Sequence, residues 1–156
     1  MPRRGRVPKR DIPPDSIYGS VLLQKFINKL MIKGKKNLSE NIVYGAFEEI
    51  KKITKKDPLE VFEKAIANIT PQLEVKARRV GGATYQVPVE VPKMRGQSLA
   101  IQWIRQVCRD KKGKSMVENL SAELIDASNG AGLAMKLKED VHKTADANKA
   151  FAHFRW

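Results

Sequence analysis

One short stretch of the 156-residue chain follows a different period from everything around it. Between residues 72 and 91, apolar and polar residues alternate as they do in a half-buried β-strand, and Gly81 and Gly82 divide the stretch in two. The pattern predicts a β-hairpin, and Pro88 and Pro92 restrict its second strand to an edge or an end because they lack a backbone donor. A two-stranded ribbon is only marginally stable by itself, so this hairpin must pack against a core or a partner.

The rest of the chain carries apolar residues at the three- and four-residue spacing of amphipathic helices. A chain of 156 residues that is 42% apolar can bury about two-thirds of its unfolded surface, so we expect a single domain, mainly α. Six helices are predicted: from Ser20 to a break at Gly34, from a cap at Ser39, from Asp57 to Pro71, over about 97–111, from a Ser115–Glu118 capping box to Gly130, and over about 132–148.

The last part of the chain has a weaker pattern. The sixth helix has a thin apolar line, which predicts either shallow burial or packing against an external partner. The tail, residues 149–156, is aromatic, and its rings either anchor the terminus to the core or stack on bases. The apolar line is Ala134, Leu137, Val141 and Ala145, and the aromatic residues of the tail are Phe151, His153, Phe154 and Trp156.

The charge balance predicts a polyanionic partner. Lys and Arg total 30 against 17 Asp and Glu, which gives a net charge of +13, and phosphate backbones relieve the self-repulsion of such a chain. A nucleic acid is the most favoured partner, and an anionic membrane surface is the second. No apolar run reaches the roughly 20 residues of a spanning helix. Cys108 is the only cysteine, so we expect a reducing, cytoplasmic-type compartment, no membrane, no disulfide and no metal.

The N-terminal residues 1–16 read as a flexible basic arm. Prolines and a glycine interrupt this segment and prevent a continuous helix. An arginine-rich segment of this kind can fold along an RNA backbone, but a solvated tail and a targeting peptide remain open as alternatives. Its basic residues are Arg3, Arg4, Arg6, Lys9 and Arg10.

Three further clusters of basic residues accompany the predicted elements, and each has a simpler explanation. Lysines near Gly34 can neutralise a helix C-terminus, arginines at the hairpin turn can keep an edge soluble, and polar residues on the fourth helix can merely face water. Together they favour a nucleic-acid surface. The clusters are Lys33, Lys35 and Lys36; Lys76, Arg78 and Arg79; and Arg95, Gln102, Arg105, Gln106 and Arg109, followed by Lys111, Lys112 and Lys114.

No arrangement of residues predicts catalysis. Gly34-Lys35 lacks the upstream glycine and the following Ser or Thr of a nucleotide-binding loop. His142 and Asp146 form the best acid-base pair at helical spacing, and we interpret them as a surface pair. We therefore expect a protein that is not an enzyme and has no cofactor.

At this level of detail the whole chain resembles a known family, the universal small-subunit ribosomal protein seven in its bacterial or organellar form. The resemblance rests on the first-helix region 20–46 with its Gly34-Lys35-Lys36 sequence, on the hairpin run Arg-Arg-Val-Gly-Gly-Ala-Thr-Tyr-Gln-Val-Pro at 78–88, and on the ending Ala-Asn-Lys-Ala-Phe-Ala-His-Phe-Arg-Trp at 147–156. The hairpin run is the most specific of the three.

The resemblance implies a six-helix bundle with a protruding two-stranded hairpin that binds the head-forming domain of small-subunit ribosomal RNA and seeds head assembly. It also implies a hairpin near exit-site transfer RNA and messenger RNA, with small-subunit ribosomal proteins nine and eleven in reach. The location implied is the small ribosomal subunit, in the cytoplasm or in an organelle.

The same resemblance assigns roles to particular residues. The ribosomal-RNA surface would comprise Arg3, Arg4, Arg6, Lys9, Arg10, Lys35, Lys36, Arg95, Arg105, Arg109 and, from its place among the basic residues after the fourth helix, Lys114. The residues near transfer and messenger RNA would be Lys76, Arg78, Arg79, Gly81, Gly82, Thr84 and Tyr85. The chain departs from the common family residue at Ser16, Ala77, Gln102, Asn119 and Phe154.

Overall fold

The computed structural model describes residue 5 and residues 11–154. The five basic residues of the predicted N-terminal arm, Arg3, Arg4, Arg6, Lys9 and Arg10, lie outside the described residues, as do Arg155 and Trp156.

The described chain is a bundle of helices with one antiparallel β-hairpin, which confirms the predicted mainly-α class. A short 3₁₀ helix, Lys149–Phe154, follows the last α-helix within the predicted tail. The elements are α1 (Val21–Leu30), α2 (Lys36–Thr54), α3 (Pro58–Ile69), β1 (Leu73–Val80), β2 (Ala83–Glu90), α4 (Lys93–Asp110), α5 (Met116–Ser128) and α6 (Leu133–Ala147).

The core is built around three phenylalanine rings, one from each of the first three helices. Phe26, Phe47 and Phe62 are fully buried. The ring of Phe62 packs edge-on against Phe26, with centroids 5.3 Å apart, and lies 5.8 Å from Phe47. The three helices therefore share one core, as their apolar patterns predict. Cys108 faces the same core and is 1% exposed.

Three of the predicted helix starts are formed by capping side chains, and the first is Ser20, whose hydroxyl accepts a hydrogen bond from the backbone N–H of Leu23 at 3.4 Å. Ser115 and Glu118 make the reciprocal capping box of α5. Asp57 caps α3 by accepting a hydrogen bond from the backbone N–H of Leu59 at 3.1 Å. The cap predicted at Ser39 is wrong, because α2 begins three residues earlier, at Lys36. Ser39 lies inside the first turn, where its hydroxyl donates to the carbonyl oxygen of Lys35.

The fourth helix also begins earlier than predicted, at Lys93 rather than near residue 97. Gly96, which has low helix propensity, lies within its first turn. A Cβ at this position would be 2.8 Å from Cγ2 of Thr70 and 3.2 Å from the carbonyl oxygen of Pro71. The glycine is thus required for close packing of α4 against the end of α3, and it does not mark a helix boundary.

The hairpin packs against the bundle at its base and against the 3₁₀ helix further out. Val87 of β2 is fully buried, and Pro88 pairs with Val75 in the antiparallel register. The ring of Tyr85 lies 5.2 Å from that of Phe151 and 5.0 Å from that of Phe154. The aromatic tail is therefore anchored to the hairpin rather than to the central core.

The sixth helix is shallowly buried, as its thin apolar line predicts. Ala134 and Ala145 are buried, whereas Leu137 and Val141 are only half-buried. Among the described residues, no helix combines the length and the hydropathy needed to cross a membrane.

Candidate nucleic-acid interface

The end of α1 brings two of the predicted RNA-binding arginines together. Arg109 donates from Nη2 to the carbonyl oxygen of Leu30 at 2.8 Å, and Arg105 donates from Nη1 to that of Lys29 at 3.3 Å. Both residues lie on α4, one turn apart, so their guanidinium groups meet the last carbonyls of α1 and neutralise its negative end. Desolvation lowers the pKa of Arg109, and the charge of Arg105 lowers it further.

This arginine pair is not fully satisfied within the described chain. The Nε atom of Arg105 is buried and has no hydrogen-bond partner among the described residues. An unmatched buried donor costs roughly 1–3 kcal/mol, and most such groups in proteins have a partner.

The second predicted cluster lies in the loop between α1 and α2. Lys33 and Gly34 both adopt positive φ angles, 52° and 76°, which turn the chain sharply. Lys35 is exposed, and Lys36, the first residue of α2, lies 3.3 Å from the carboxylate of Glu40. Because such exposed ion pairs are weak, Lys35 and Lys36 remain accessible to an anion.

Arg95 and Lys76 are linked by a carboxylate that the sequence pattern did not single out. Glu74 of β1 is 8% exposed, and its carboxylate accepts hydrogen bonds from Nε of Arg95 at 2.7 and 2.9 Å. The Nζ atom of Lys76 lies 3.0 Å away. Burial alone would raise the pKa of Glu74, but hydrogen bonds from Arg95 and Lys76 and their charges lower it below its ordinary value.

The tip of the hairpin is a tight turn flanked by basic residues. Gly81 and Gly82 have φ angles of 56° and 92° and connect the paired residues Val80 and Ala83. Positive φ at both central positions is typical of the two-residue turns that suit the strand twist, and it explains why both are glycines.

Side chains near the tip divide between the two faces of the ribbon. Arg78 pairs with Tyr85, and Arg79 pairs with Thr84 one position nearer the turn. Because directly opposite residues share a face, Arg78 lies on the tail-facing side with Tyr85, whereas exposed Arg79 and Thr84 lie on the other side.

The loop that carries Lys114 is fixed from inside the fold. Asn119 is 6% exposed, and its Nδ2 lies 3.4, 3.2 and 3.5 Å from the carbonyl oxygens of Cys108, Lys111 and Lys114. The amide holds the loop between α4 and α5 in place, while the Lys114 side chain remains exposed. At this position, where the resemblance leads one to expect arginine, the asparagine has a structural contact.

The predicted surface pair of His142 and Asp146 is not joined by an ion pair in the described part of the chain. His142 instead accepts a hydrogen bond at Nε2 from the backbone N–H of Gln72 at 3.2 Å, which ties α6 to the start of the hairpin. Within residues 5 and 11–154, no three His, Cys, Asp or Glu side chains are placed to hold a metal ion.

Comparison with known proteins identifies the family of this chain. The sequence model of the family described as ribosomal protein S7p/S5e matches residues 2–149. The chain belongs to this family. The resemblance seen in the first-helix region and in the hairpin run is thereby confirmed.

Several full-length relatives of the S7p/S5e chain are closely similar. The small ribosomal subunit protein uS7 of Carboxydothermus hydrogenoformans is 62% identical over 156 residues, which cover 100% of both chains. The uS7 proteins of Pelotomaculum thermopropionicum and Dictyoglomus thermophilum are 61% and 59% identical, again over 100% of both chains.

Some of the predicted RNA-binding residues of this S7p/S5e protein contact a shared group, and the others lie apart. The structure brings Arg105 and Arg109 together at the end of α1, and Lys76 and Arg95 together at Glu74. Lys35 and Lys36 lie apart from these groups, at the start of α2, Lys114 lies in the loop between α4 and α5, and Arg79 lies near the hairpin tip. The sequence identified the cations but missed the carboxylate and the backbone carbonyls that orient them, because only the folded chain brings those groups near.

Proposed function

We propose that this ribosomal protein is a structural, non-catalytic component of the small ribosomal subunit that binds the head domain of its RNA and seeds assembly of the head. The observation that carries the proposal is the set of cations held in place by α1, α4 and the hairpin in a chain that belongs to the S7p/S5e family. The cytoplasmic ribosome, or that of an organelle, is the location proposed with it.

Three of the proposed RNA-contacting arginines have a physical feature that suits the role. Arg105 and Arg109 lie together at the end of α1 and concentrate positive charge there. Arg95 bonds Glu74, yet 53% of its side chain is exposed and can reach a phosphate. The proposed set is Arg95, Arg105, Arg109, Lys35, Lys36 and Lys114, with the five basic residues of the N-terminal arm.

The hairpin has a second proposed role, toward exit-site transfer RNA and messenger RNA. Lys76, Arg78 and Arg79 supply charge along its edge, and the turn of Gly81 and Gly82 is narrow. Thr84 and Tyr85 complete the proposed contact region, and small-subunit proteins nine and eleven are the proposed protein neighbours.

The test is binding of the purified chain to the isolated head domain of small-subunit ribosomal RNA across a salt series. Equal lengths of unrelated folded RNA and of duplex DNA serve as competitors. Head-specific binding that survives physiological salt is expected, since non-specific polyanion binding is dominated by counterion release and weakens steeply with salt. Equal affinity for every polyanion would reduce the interaction to a charge effect and favour a DNA-packaging protein instead.

A matched pair of lysine variants adds a control. Lys35→Gln removes a proposed phosphate contact, whereas Lys52→Gln removes an equally exposed lysine near the end of α2. Only Lys35→Gln is expected to flatten the dependence of log affinity on log salt, by somewhat under one unit. Identical slopes for the two variants would remove Lys35 from the interface.

A further inference from the structure

A groove between α1 and α4 lies beside the pair of Arg105 and Arg109, and Ile12 borders it. It has a volume of about 300 Å³. One wall comes from α1, through Lys25, Asn28 and Lys29, and the other from α4, through Met94, Gln97 and Ile101. The volume lies at the lower end of the range of small-molecule pockets, which suits one planar ring system rather than a longer segment.

The floor of the groove is apolar and open. Met94 is 64% exposed although it is a large apolar residue, and Ile101, two helical turns further along α4, is 3% exposed. The exposed methionine offers a polarizable surface, and thioethers make favourable contacts with aromatic rings. Such a surface suits the face of an unsaturated ring.

The rim of the groove carries two side-chain amides, Asn28 and Gln97, which can pair with the edge of a nucleobase. Oδ1 of Asn28 accepts a hydrogen bond from Nε2 of Gln24 at 3.1 Å, and its Nδ2 has no hydrogen-bond partner in the described part of the chain. The side chain of Gln97, on the opposite wall, has no hydrogen-bond partner among the described residues. Side-chain amides of this kind pair with the edges of nucleobases.

The positive charge beside the groove favours a ligand that carries phosphates. Lys25 and Lys29 stand one turn apart on α1, and neither forms an ion pair within the described chain. The carbonyl oxygen of Lys29 accepts the hydrogen bond from Arg105, so the groove continues directly into the guanidinium pair. A ring bound on the floor would thus have cations beside it, as a base linked to phosphates requires.

We propose that this groove receives one unpaired nucleotide of the bound RNA. The base lies on Met94, its edge meets Asn28 and Gln97, and its flanking phosphates meet Lys25 and Lys29. Unpaired bases in loops and bulges are the usual targets of sequence-specific RNA recognition. The inference rests on the proposed RNA-binding function and adds to it a site that reads a base instead of the backbone alone.

The test compares Gln97→Leu with Asn41→Leu in the full chain. Both substitutions remove an amide from a helix without changing charge, but Asn41, on α2, is exposed and does not line the groove. Gln97→Leu is expected to weaken binding to the head-domain RNA about tenfold with an unchanged salt slope, because a base-edge contact is lost. Base-specific chemical probing is expected to show one unpaired base that the wild-type chain protects and the Gln97→Leu chain leaves reactive.

A second variant guards against a folding defect. Met94→Ala changes a side chain that is 64% exposed, so its thermal unfolding is expected to match the wild type while the same base loses protection. If the wild type binds the head domain specifically but Gln97→Leu and Met94→Ala bind it as Asn41→Leu does, the nucleotide site is refuted, the proposed function stands, and the groove is left to a protein segment. If the wild type shows no preference for the head domain, both proposals fail together.

Discussion

The ammonium group of Lys111 lies 2.6 Å from a carboxylate oxygen of Glu123, whose side chain is completely buried. The other carboxylate oxygen accepts a hydrogen bond from the backbone N–H of Ala134 at 2.8 Å. Lys111 follows the last residue of α4, and Ala134 lies in the first turn of α6. One carboxylate on α5 therefore connects the end of one helix to the start of another.

Replacing Lys111 with methionine is expected to destabilise the protein by about 3 kcal/mol, because Glu123 would remain buried without its cation. This value is at the lower end of the usual range, since 28% of the Lys111 side chain still contacts water. Urea unfolding followed by circular dichroism measures the change. Lys112→Met, which alters the exposed neighbour, is the control, and equal urea midpoints for the two variants would contradict the role given to the buried pair.

The thiol of Cys108 is expected to be unreactive in the folded protein. Burial, assisted by the charge of Glu123, raises its pKa to about 12, so the thiolate is scarce at pH 8. We expect alkylation by iodoacetamide to be more than about a thousandfold slower than for a free thiol and to follow unfolding as urea is added. Rapid labelling of the native protein would show that the residue is accessible.

Stability at high pH is expected to depend on Tyr44. Burial, followed by its hydrogen bond to Asp15 at 2.7 Å, raises the pKa of Tyr44 from 10.0 to about 12. Between these values the unfolded phenol loses its proton while the folded one keeps it, so the free energy of unfolding falls as pH rises. Tyr44→Phe should show a shallower decline above pH 10 and cost about 1.5 kcal/mol at neutral pH.

That prediction is checked by urea unfolding at intervals from pH 7 to about pH 11, a range set by the linkage relation. Tyr18 and Cys108 also have raised pKa values. The free energy of unfolding of Tyr44→Phe is therefore still expected to fall as pH rises, but less steeply than that of the wild type. A decline as steep in Tyr44→Phe as in the wild type would show that this phenol does not contribute.

The aromatic tail is expected to restrain the hairpin without stabilising the bundle. Phe151→Ala removes one of two rings that pack against Tyr85, a contact worth about 1 kcal/mol beyond its buried area. Amide hydrogen exchange should therefore accelerate in β1 and β2 while the amides of α2 and α3 keep their protection. Uniform acceleration throughout the chain would mean that the tail supports the whole domain.

Replacing both Arg78 and Arg79 with alanine is expected to leave the helical core intact and to weaken contacts at the exit-site side of assembled subunits. The physical reason is loss of charge from the hairpin, whose two-residue turn carries no core residue. Crosslinking to transfer RNA in reconstituted subunits measures the effect, and Lys51→Ala with Lys52→Ala is the charge-matched control. Transfer-RNA crosslinking that matches the wild type would refute the proposed position of the hairpin.

Periodicity predicted the elements of this fold but misplaced three of their ends: α1 ends at Leu30 and not at Gly34, α2 begins before Ser39, and α4 begins at Lys93 and not near residue 97. The alternation around Gly81 and Gly82 predicted the hairpin within one residue at each end, as 72–91 against Leu73–Glu90. Gly96 is a poor helix residue, yet it lies within the first turn of α4. The close approach of Gly96 to Thr70, 26 positions earlier, is a tertiary contact that no local pattern contains.

The candidate interface was predictable in its charges but not in their orientation. Runs of lysine and arginine are visible in a sequence, and the family resemblance indicated which of them are expected to contact RNA. That Arg105 and Arg109 bond the end of α1 depends on how two distant helices cross. The groove formed by Asn28 and Gln97 was missed for the same reason, although the amides of Gln24 and Asn28, four residues apart, gave a weak signal.

The ion pair between Glu74 and Arg95 joins the base of the hairpin to α4. A nearly buried carboxylate holds the hairpin at its base, and the tail packs along its length. These contacts fix the orientation of the hairpin relative to α4 before a ligand binds. They also fix the distance between the cations of α4 and those at the turn. In the proposed complex, an RNA that contacts both would have to match that distance or bend to meet it, and the protein would then select its RNA by shape as well as by charge.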